Sequence, residues 1–188
     1  MNRLVAILIF TLFSCGCARH SMERDLEKVM GSEIRFPARL ERMTGDSAAA
    51  SSRPMKPIKL LQYSNSEECL PCAIAKLSDR LRFQGLLDKD SDFELMIVHS
   101  FPADRYAAER EKIMGVGEDW SVYFDSDYRF FDQNREILEH EYCHTLLLDR
   151  NNRVVMIGNP IASVAMWDLF KKIMDNLQAH DGEYVPEK

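Results

Sequence analysis

Long apolar runs are missing from this 188-residue chain. None reaches the roughly 18 consecutive apolar residues that a bilayer-spanning helix needs. An excess of positive charge is missing too: 24 Lys+Arg stand against 30 Asp+Glu, a formal charge of −6 and a pI near 5.4. Without a basic stripe, nucleic acid is excluded as the main partner. There is no internal repeat, no Gly-rich phosphate loop, no pair of catalytic carboxylates and no Ser-His-Asp order. Cysteine is sparse, with five residues at Cys15, Cys17, Cys69, Cys72 and Cys143. Only one Cys-x-x-Cys occurs, so a closed zinc site built from two such pairs is not encoded. What is present is an ordinary globular composition, 46% hydrophobic and 29% charged. That balance excludes disorder, collagen and low-complexity sequence. The length suits one domain with a real core.

The front of the chain reads as an export signal. Arg3 is the only charge before Arg19, and between them runs LVAILIFTLF from Leu4 to Phe13. That is the length of a signal-peptide apolar region and too short to span a bilayer. Leu12-Phe13-Ser14-Cys15 follows. Leu, any residue, a small residue and then Cys resembles the bacterial lipobox, where the peptide is cut before a Cys whose thiol is lipidated. The expectation is a lipoprotein signal peptide over residues 1–14 and a lipid on Cys15. Cys17 is the competing anchor, and a plain signal peptide with two incidental cysteines is the alternative. Acyl chains would supply the membrane attachment, at about 0.8 kcal/mol per buried CH₂. An envelope address places the chain where disulfides persist. Gly16 to His20 carry no acidic run of the kind resembling a surface-export signal, so the domain is expected to face the periplasm.

Residues 15–55 read as anchor, short helix and linker. Residues 21–30 begin with an N-cap-like Ser21, carry a Leu26, Val29, Met30 stripe and end at Gly31, which predicts a short helix. Ile34-Arg35-Phe36-Pro37 suits an extended segment. Residues 44–57, rich in Ala, Ser and Pro, read as a loop.

A domain is expected over residues 56–180, with a tail at 181–188. Residues 58–63 read as a strand and 72–87 as a helix. FELMIV at 93–98 reads as a buried central strand. Residues 103–114 suit a charged helix stopped by Gly115 and Gly117. Residues 121–124 read as a short strand and 128–138 as a helix. Two apolar runs, 145–148 and 154–157, flank Asp149-Arg150-Asn151-Asn152-Arg153, a hairpin signal. Residues 163–177 form a last amphipathic helix, its apolar face expected from Val164, Trp167, Phe170, Ile173 and Leu177, with Leu169 beside it. Strands alternating with helices indicate an α/β layered domain, a central mixed sheet flanked by helices.

Cys69-Leu70-Pro71-Cys72 lies between a predicted strand and a predicted helix. A thiolate at a helix N-terminus is stabilised by free N–H groups and the positive end of the dipole. Two intervening residues let the second sulfur reach the first, so a disulfide can close and reopen. Pro71 fits early in the helix, where its missing N–H costs nothing. Cys69 would be the attacking thiol and Cys72 the resolving one. A structural disulfide and half of a metal site remain open as alternatives.

On these residues the chain resembles thioredoxin-fold proteins of the membrane-anchored, TlpA-like redoxin group over about residues 56 to 178. The Thr145–Val155 hairpin is similar to that group's "P-T-x-F-L-I-D-x-x-G-x-V" segment. Glu33-Ile34-Arg35-Phe36-Pro37 and the stretch from Thr145 to Asn159-Pro160 are more closely similar to a set of poorly characterised envelope lipoproteins of Gram-negative bacteria. The resemblance implies a thioredoxin-like sheet and thiol–disulfide exchange with protein partners, with no cofactor. Three departures stand out. Glu68, beside Glu67, replaces the usual Trp before the first Cys, and carboxylates facing a thiol disfavour its thiolate. The cis-proline position falls on Cys143, where a trans bond is expected because a cis peptide without proline costs about 3 kcal/mol. Asn151-Asn152 replaces a turn glycine, which Asn tolerates.

The resemblance also implies that the loop with Cys143 and His144 faces the Cys69 pair. Cys143 could be a third redox thiol, or a small buried filler of a strand start. Alternatively Cys69, Cys72 and His144 or Cys143 could hold copper or zinc, which thiolate and imidazole ligands suit. His99 reads as a loop or edge residue, His140 and His180 as exposed, and Asp149 as a turn residue. Trp120 and Trp167 read as packing residues.

Overall fold

The computed structural model describes residues 23–38, 40–44, 47–50, 55–68, 83, 92–113 and 120–186. The expected signal peptide, Cys15, Cys17, and Cys69 through Cys72 lie outside these residues.

The sheet grows from its two most apolar strands. β3 (Ile58–Asn65) and β4 (Phe93–Ser100) pair in parallel, from Ile58 opposite Phe93 to Asn65 opposite Ser100. Every β4 residue is buried. A strand covered on both faces loses the in–out alternation and reads as a continuous apolar run. β5 (Trp120–Asp125) adds in parallel to β4. On the other side β6 (Thr145–Leu148) runs antiparallel to β3, and β7 (Val154–Ile157) antiparallel to β6. β1 (Glu41–Thr44) and β2 (Ser47–Ala50) form a hairpin whose first strand pairs antiparallel with β5. The result is a mixed seven-stranded sheet in the order β2-β1-β5-β4-β3-β6-β7.

Helices fill the connections. Residues 23–29 form α1. After a 3-10 turn at Ala103–Arg105 comes α2 (Tyr106–Ile113). α3 (Arg129–Gln133) and α4 (Arg135–Leu138) follow β5, and α5 (Val164–Ala179) closes the chain. The period-2 geometry of β3 divides the main core between the two faces. Leu61 and Tyr63 point to one, with Met96, Val98, Phe130 and Leu146. Ile58 and Leu60 point to the other, with Phe93, Leu95, Phe83 and Phe170. α5 covers this second face. Ser163 caps it by accepting the Met166 N–H at 3.2 Å, and Phe170, Ile173, Met174 and Leu177 are its buried stripe. Val164, expected on that face, is 73% exposed, because the helix begins one turn before it reaches the sheet. Leu169 is half-exposed, off the stripe. Of the helix expected over 72–87, Phe83 is described. It is helical and fully buried against Phe93, Phe170 and Trp167.

The expected linker belongs instead to the folded body. Gly31, at φ +78°, ends α1 as expected. The chain beyond it bridges to the start of β7: the Ile34 N–H donates to Asn152 O at 2.8 Å and the Val154 N–H to Ser32 O at 2.9 Å. Val29, Ile34 and Leu40 enter the first core face. Residues 44–57 were expected to be a loop, yet β2 lies within them, because pairing with β1 supplies what its small residues lack in apolar pattern. The single helix expected over 128–138 breaks at Asn134, whose side chain accepts the Arg35 N–H and donates to Arg35 O, each at 2.8 Å. At the β6–β7 turn, Asp149 Oδ1 accepts the N–H groups of Asn151 and Arg153, and Asn152 takes φ +58°. That is the turn chemistry read from the sequence. Among the described residues no helix is long and apolar enough to cross a membrane.

Candidate functional site

The C-terminal end of β3 leads towards the Cys69 pair, and the structure describes the chain up to Glu68. A turn fixes the approach. Asn65 Oδ1 accepts the Glu67 N–H at 2.9 Å, Asn65 O accepts the Glu68 N–H at 3.1 Å, and the Ser66 N–H reaches Ser100 O at 3.0 Å. Asn at a turn start bonds its own backbone two residues on. Cys69, Leu70, Pro71 and Cys72 come next in the chain, beyond the described residues.

The segment leading into β6 packs beside this turn. A 3-10 turn at Glu141–Cys143 ends at His144, whose carbonyl accepts the Tyr63 N–H at 2.8 Å. The His144 ring lies edge-on to Tyr63, with centroids 5.0 Å apart. Its Nδ1 is 3.0 Å from Glu68 Oε1 and its Nε2 is 2.9 Å from Leu138 O. A carbonyl only accepts, so Nε2 carries the proton that goes to Leu138 O, and the Glu68 carboxylate at Nδ1 favours a second proton on the ring. Burial opposes that charge. The Glu68 and Leu138 hydrogen bonds, with the charges of Glu68 and Glu141, outweigh it and hold His144 above the usual histidine range. His144 therefore touches the residue that precedes Cys69.

Cys143 is fully buried in the first core face. Burial, helped by Asp25, pushes its thiol up to about 11. At neutral pH it is a protonated apolar side chain, not a nucleophile. The peptide bonds among the described residues are all trans, that of Cys143 included.

Of the copper or zinc ligands considered, Cys69 and Cys72 lie outside the described residues. His144 is engaged through both ring nitrogens, with Glu68 and Leu138 O. Cys143 is fully buried. Among the described residues no group of three or more His, Cys, Asp or Glu side chains is placed to bind an ion.

His99 corrects the expectation of a loop or edge residue. It sits on the central strand β4 with no exposure. Its Nδ1 is 2.8 Å from Ser64 Oγ and its Nε2 is 2.9 Å from Glu109 Oε2. Lys112 Nζ donates to both Glu109 oxygens, at 2.7 and 2.9 Å. The carboxylate takes the Nε2–H, so Nδ1 accepts from the Ser64 hydroxyl and the ring is neutral. Burial is the main cause that lowers its affinity for a proton, against the pull of Glu109. Ser64, His99 and Glu109 follow the hydrogen-bond order of a hydrolase triad. With 0%, 0% and 1% exposure they admit no substrate, and the cluster ties α2 to the sheet. Sequence reading missed it because the register that sets Ser64 opposite His99 has no local signal.

A second buried acid, Asp125, accepts from Ser100 Oγ at 2.7 Å and from the Phe130 and Phe131 N–H groups, which fixes the start of α3. A groove of about 900 Å³ opens between α1 and the α3–α4 pair, lined by Asp25, Lys28, Arg35, Asp132, Arg135 and Glu136 among others. It carries both signs of charge and includes neither Glu68 nor His144. His140 stacks on Tyr142 at 5.2 Å and is half-buried, and His180 is exposed as expected.

No family profile matches the chain, and no curated protein does. Solved structures match its fold. The solution structure of an uncharacterised thioredoxin-like protein from Porphyromonas gingivalis is 15% identical, with a TM-score of 0.51 over 81% of this chain and 97% of that one. A thioredoxin-like protein from Bacteroides caccae is 12% identical, with a TM-score of 0.51 over 86% of this chain and 56% of that one. Yeast Sco1 with copper bound is 13% identical, with a TM-score of 0.50 over 84% and 96%. The chain has a thioredoxin-like α/β fold, as its strand and helix order led us to expect. Identities this low speak for the fold alone.

Proposed function

We propose that the chain is a membrane-anchored thiol–disulfide oxidoreductase of the bacterial envelope. One observation carries the reading: Cys69-Leu70-Pro71-Cys72 starts immediately after the turn at the C-terminal end of β3, a central strand of a thioredoxin-like sheet. The Cys69 thiolate attacks a partner disulfide, forming a mixed disulfide and releasing one partner thiolate. The Cys72 thiolate then attacks the Cys69 sulfur, closing the Cys69–Cys72 disulfide and releasing the second partner thiol. Two electrons pass from the protein dithiol to the partner, and the reverse sequence oxidises a partner dithiol. The partners are envelope proteins carrying thiols or disulfides. The apolar Leu4–Phe13 run and the lipobox-like Leu12-Phe13-Ser14-Cys15 support export and a lipid on Cys15, with Cys17 as the other candidate, and a domain facing the periplasm.

The test is the reduction potential of the Cys69–Cys72 pair, set against glutathione or dithiothreitol with thiol trapping and mass spectrometry. A reversible couple between roughly −120 and −270 mV is expected of an exchanger. A disulfide below about −300 mV would instead mark a structural staple in a binding protein. Cys72→Ala should trap partners through Cys69.

A metal-carrier reading has one observation behind it, the fold likeness to yeast Sco1, described with copper bound. The double engagement of His144 weighs against it, since a metal would have to displace a ring proton and break one of these two contacts. Elemental analysis of gently purified, reduced protein decides: stoichiometric copper or zinc would favour the carrier over the exchanger.

A further inference from the structure

We propose that the outer edge of β2 is a docking site for an extended segment of another polypeptide, which adds to the sheet as a further strand through main-chain hydrogen bonds. The inference goes beyond the exchange reading and needs none of its residues.

The two edges of the sheet differ. On the β7 side the chain covers itself. The Gly31 N–H donates to Val154 O at 2.8 Å, the Val154 N–H donates to Ser32 O at 2.9 Å, and Glu33 bridges to Arg153. On the other side, among the described residues, β2 pairs with β1 alone and ends the sheet. The register identifies the groups left over. Thr44 faces Ser47 with two residues between them, so that pair closes the hairpin through its own hydrogen bonds. Bonded and non-bonded pairs then alternate. Arg42 and Ala49 exchange bonds, while Ala48 and Ala50 turn their N–H and C=O groups away from β1. These groups form a row of alternating donors and acceptors along the outer edge.

Natural edge strands are blunted by charge, by proline or by a bulge. Ser47–Ala50 has no charge and no proline, and its register with β1 runs without a shift. With only Ser and Ala in the strand, recognition falls to the backbone, which reads extension more than sequence. The size of the edge selects the occupant. Self-pairing of two such strands, each about 13 Å long, buries far less than the roughly 1,200 Å² of a stable interface between two copies. A single extended segment needs only the matching row of donors and acceptors. The partner class is a disordered or unfolded polypeptide, because a folded one keeps its own backbone groups paired.

The experiment titrates the ¹⁵N-labelled full chain with a synthetic peptide of alternating Thr and Val, ended by Lys, and follows the backbone amide signals. The Ala48 and Ala50 amides should shift saturably. Ala48→Pro removes an outward N–H and no bond to β1, and should weaken binding at least about tenfold. The peptide supplies a check on unaltered protein. N-methylation of one alternate set of peptide amides leaves the other peptide edge free and should keep the affinity within about threefold. Methylation of both sets should lower it at least about tenfold.

Shifts confined to other parts of the chain, equal binding by the doubly methylated peptide, or wild-type affinity in Ala48→Pro would each overturn the proposal. Concentration-dependent shifts of Ala48 and Ala50 without peptide would overturn it too, by giving the edge to a second copy. The reduction potential of the Cys69 pair bears on the exchange reading alone, so either reading can fail while the other stands.

Discussion

His99 and His144 are both buried, both bonded through each ring nitrogen and both close to a glutamate, yet their proton affinities move in opposite directions. His99 stands between a hydroxyl that can donate and a carboxylate that can only accept, so one proton satisfies it. His144 stands between a carbonyl and a carboxylate, which favour two. Burial disfavours charge at both sites. It prevails at His99, and the two acceptors prevail at His144. The chemistry of the second hydrogen-bond partner, more than depth, sets the direction in which the proton affinity of a buried imidazole moves. His99 serves the frame of the sheet, and His144 serves the segment next to the proposed redox pair.

Removing the framework histidine should have the largest effect. His99→Ala opens a cavity at a fully buried position and leaves Ser64 and Glu109 without their shared partner. It should cost about 3–5 kcal/mol, read as a fall in the urea midpoint. A loss under about 1 kcal/mol would mean that water enters and rescues the cluster.

The two histidines should also give stability opposite slopes with pH. His99 has a folded affinity for protons below its ordinary value near 6.5. The unfolded chain takes up the proton first, so its contribution is complete above about pH 6.5 and lost as pH falls below it. His144 lies above its ordinary value near 6.5. Its contribution is complete below about pH 6.5 and fades as pH rises through the folded value. Urea titrations from pH 5 to 8.5 should therefore show His144→Gln losing stability mainly at the acid end and little at the alkaline end. A pH-independent loss would break the contrast.

Cys143 offers a control of the same depth without a charge. Its buried, protonated thiol should resist iodoacetamide in the native protein and react once urea unfolds the chain. Cys143→Ala should cost about 1–2 kcal/mol in the urea midpoint. Native-state alkylation at a rate like that of Cys69 would restore a third redox thiol. The smallest effect on stability should be that of Glu68→Gln, about 0.5 kcal/mol, since the acid is partly exposed and solvent screens the pair.

Legibility from sequence followed the range of the interactions involved. The β6–β7 hairpin, the buried run of β4 and the closing helix are written in local patterns: Asp and Asn at a turn, unbroken apolar residues, a stripe at helical spacing. All three formed where the patterns lie. β2 escaped notice because Ser47–Ala50 has no pattern of its own and takes its extended form from β1. Asn134 looked like an ordinary helix residue because its partner, Arg35, is 99 positions away. Glu94 interrupted an otherwise apolar strand, and its buried carboxylate is accommodated by the Lys56 N–H at 3.1 Å. His99 ends an apolar run, which locally reads as an edge, and only the register with Ser64 and the packing of α2 draw it inside.

By itself the amino-acid sequence determined the alternation of strands and helices, the thioredoxin-like order and the turn at Asp149. Each of these depends on neighbours within about one turn or a few residues along the chain, where spacing alone sets geometry. Tertiary structure alone decided that the supposed linker joins the sheet, that Cys143 is buried with its thiol pushed up, that burial lowers the proton affinity of His99 and that Glu68 and Leu138 raise that of His144. Those outcomes depend on which donor or acceptor a fold brings within about 3 Å of a buried atom, and residues 76 or more positions apart in the chain, as Glu68 and His144 are, carry no local trace of that meeting.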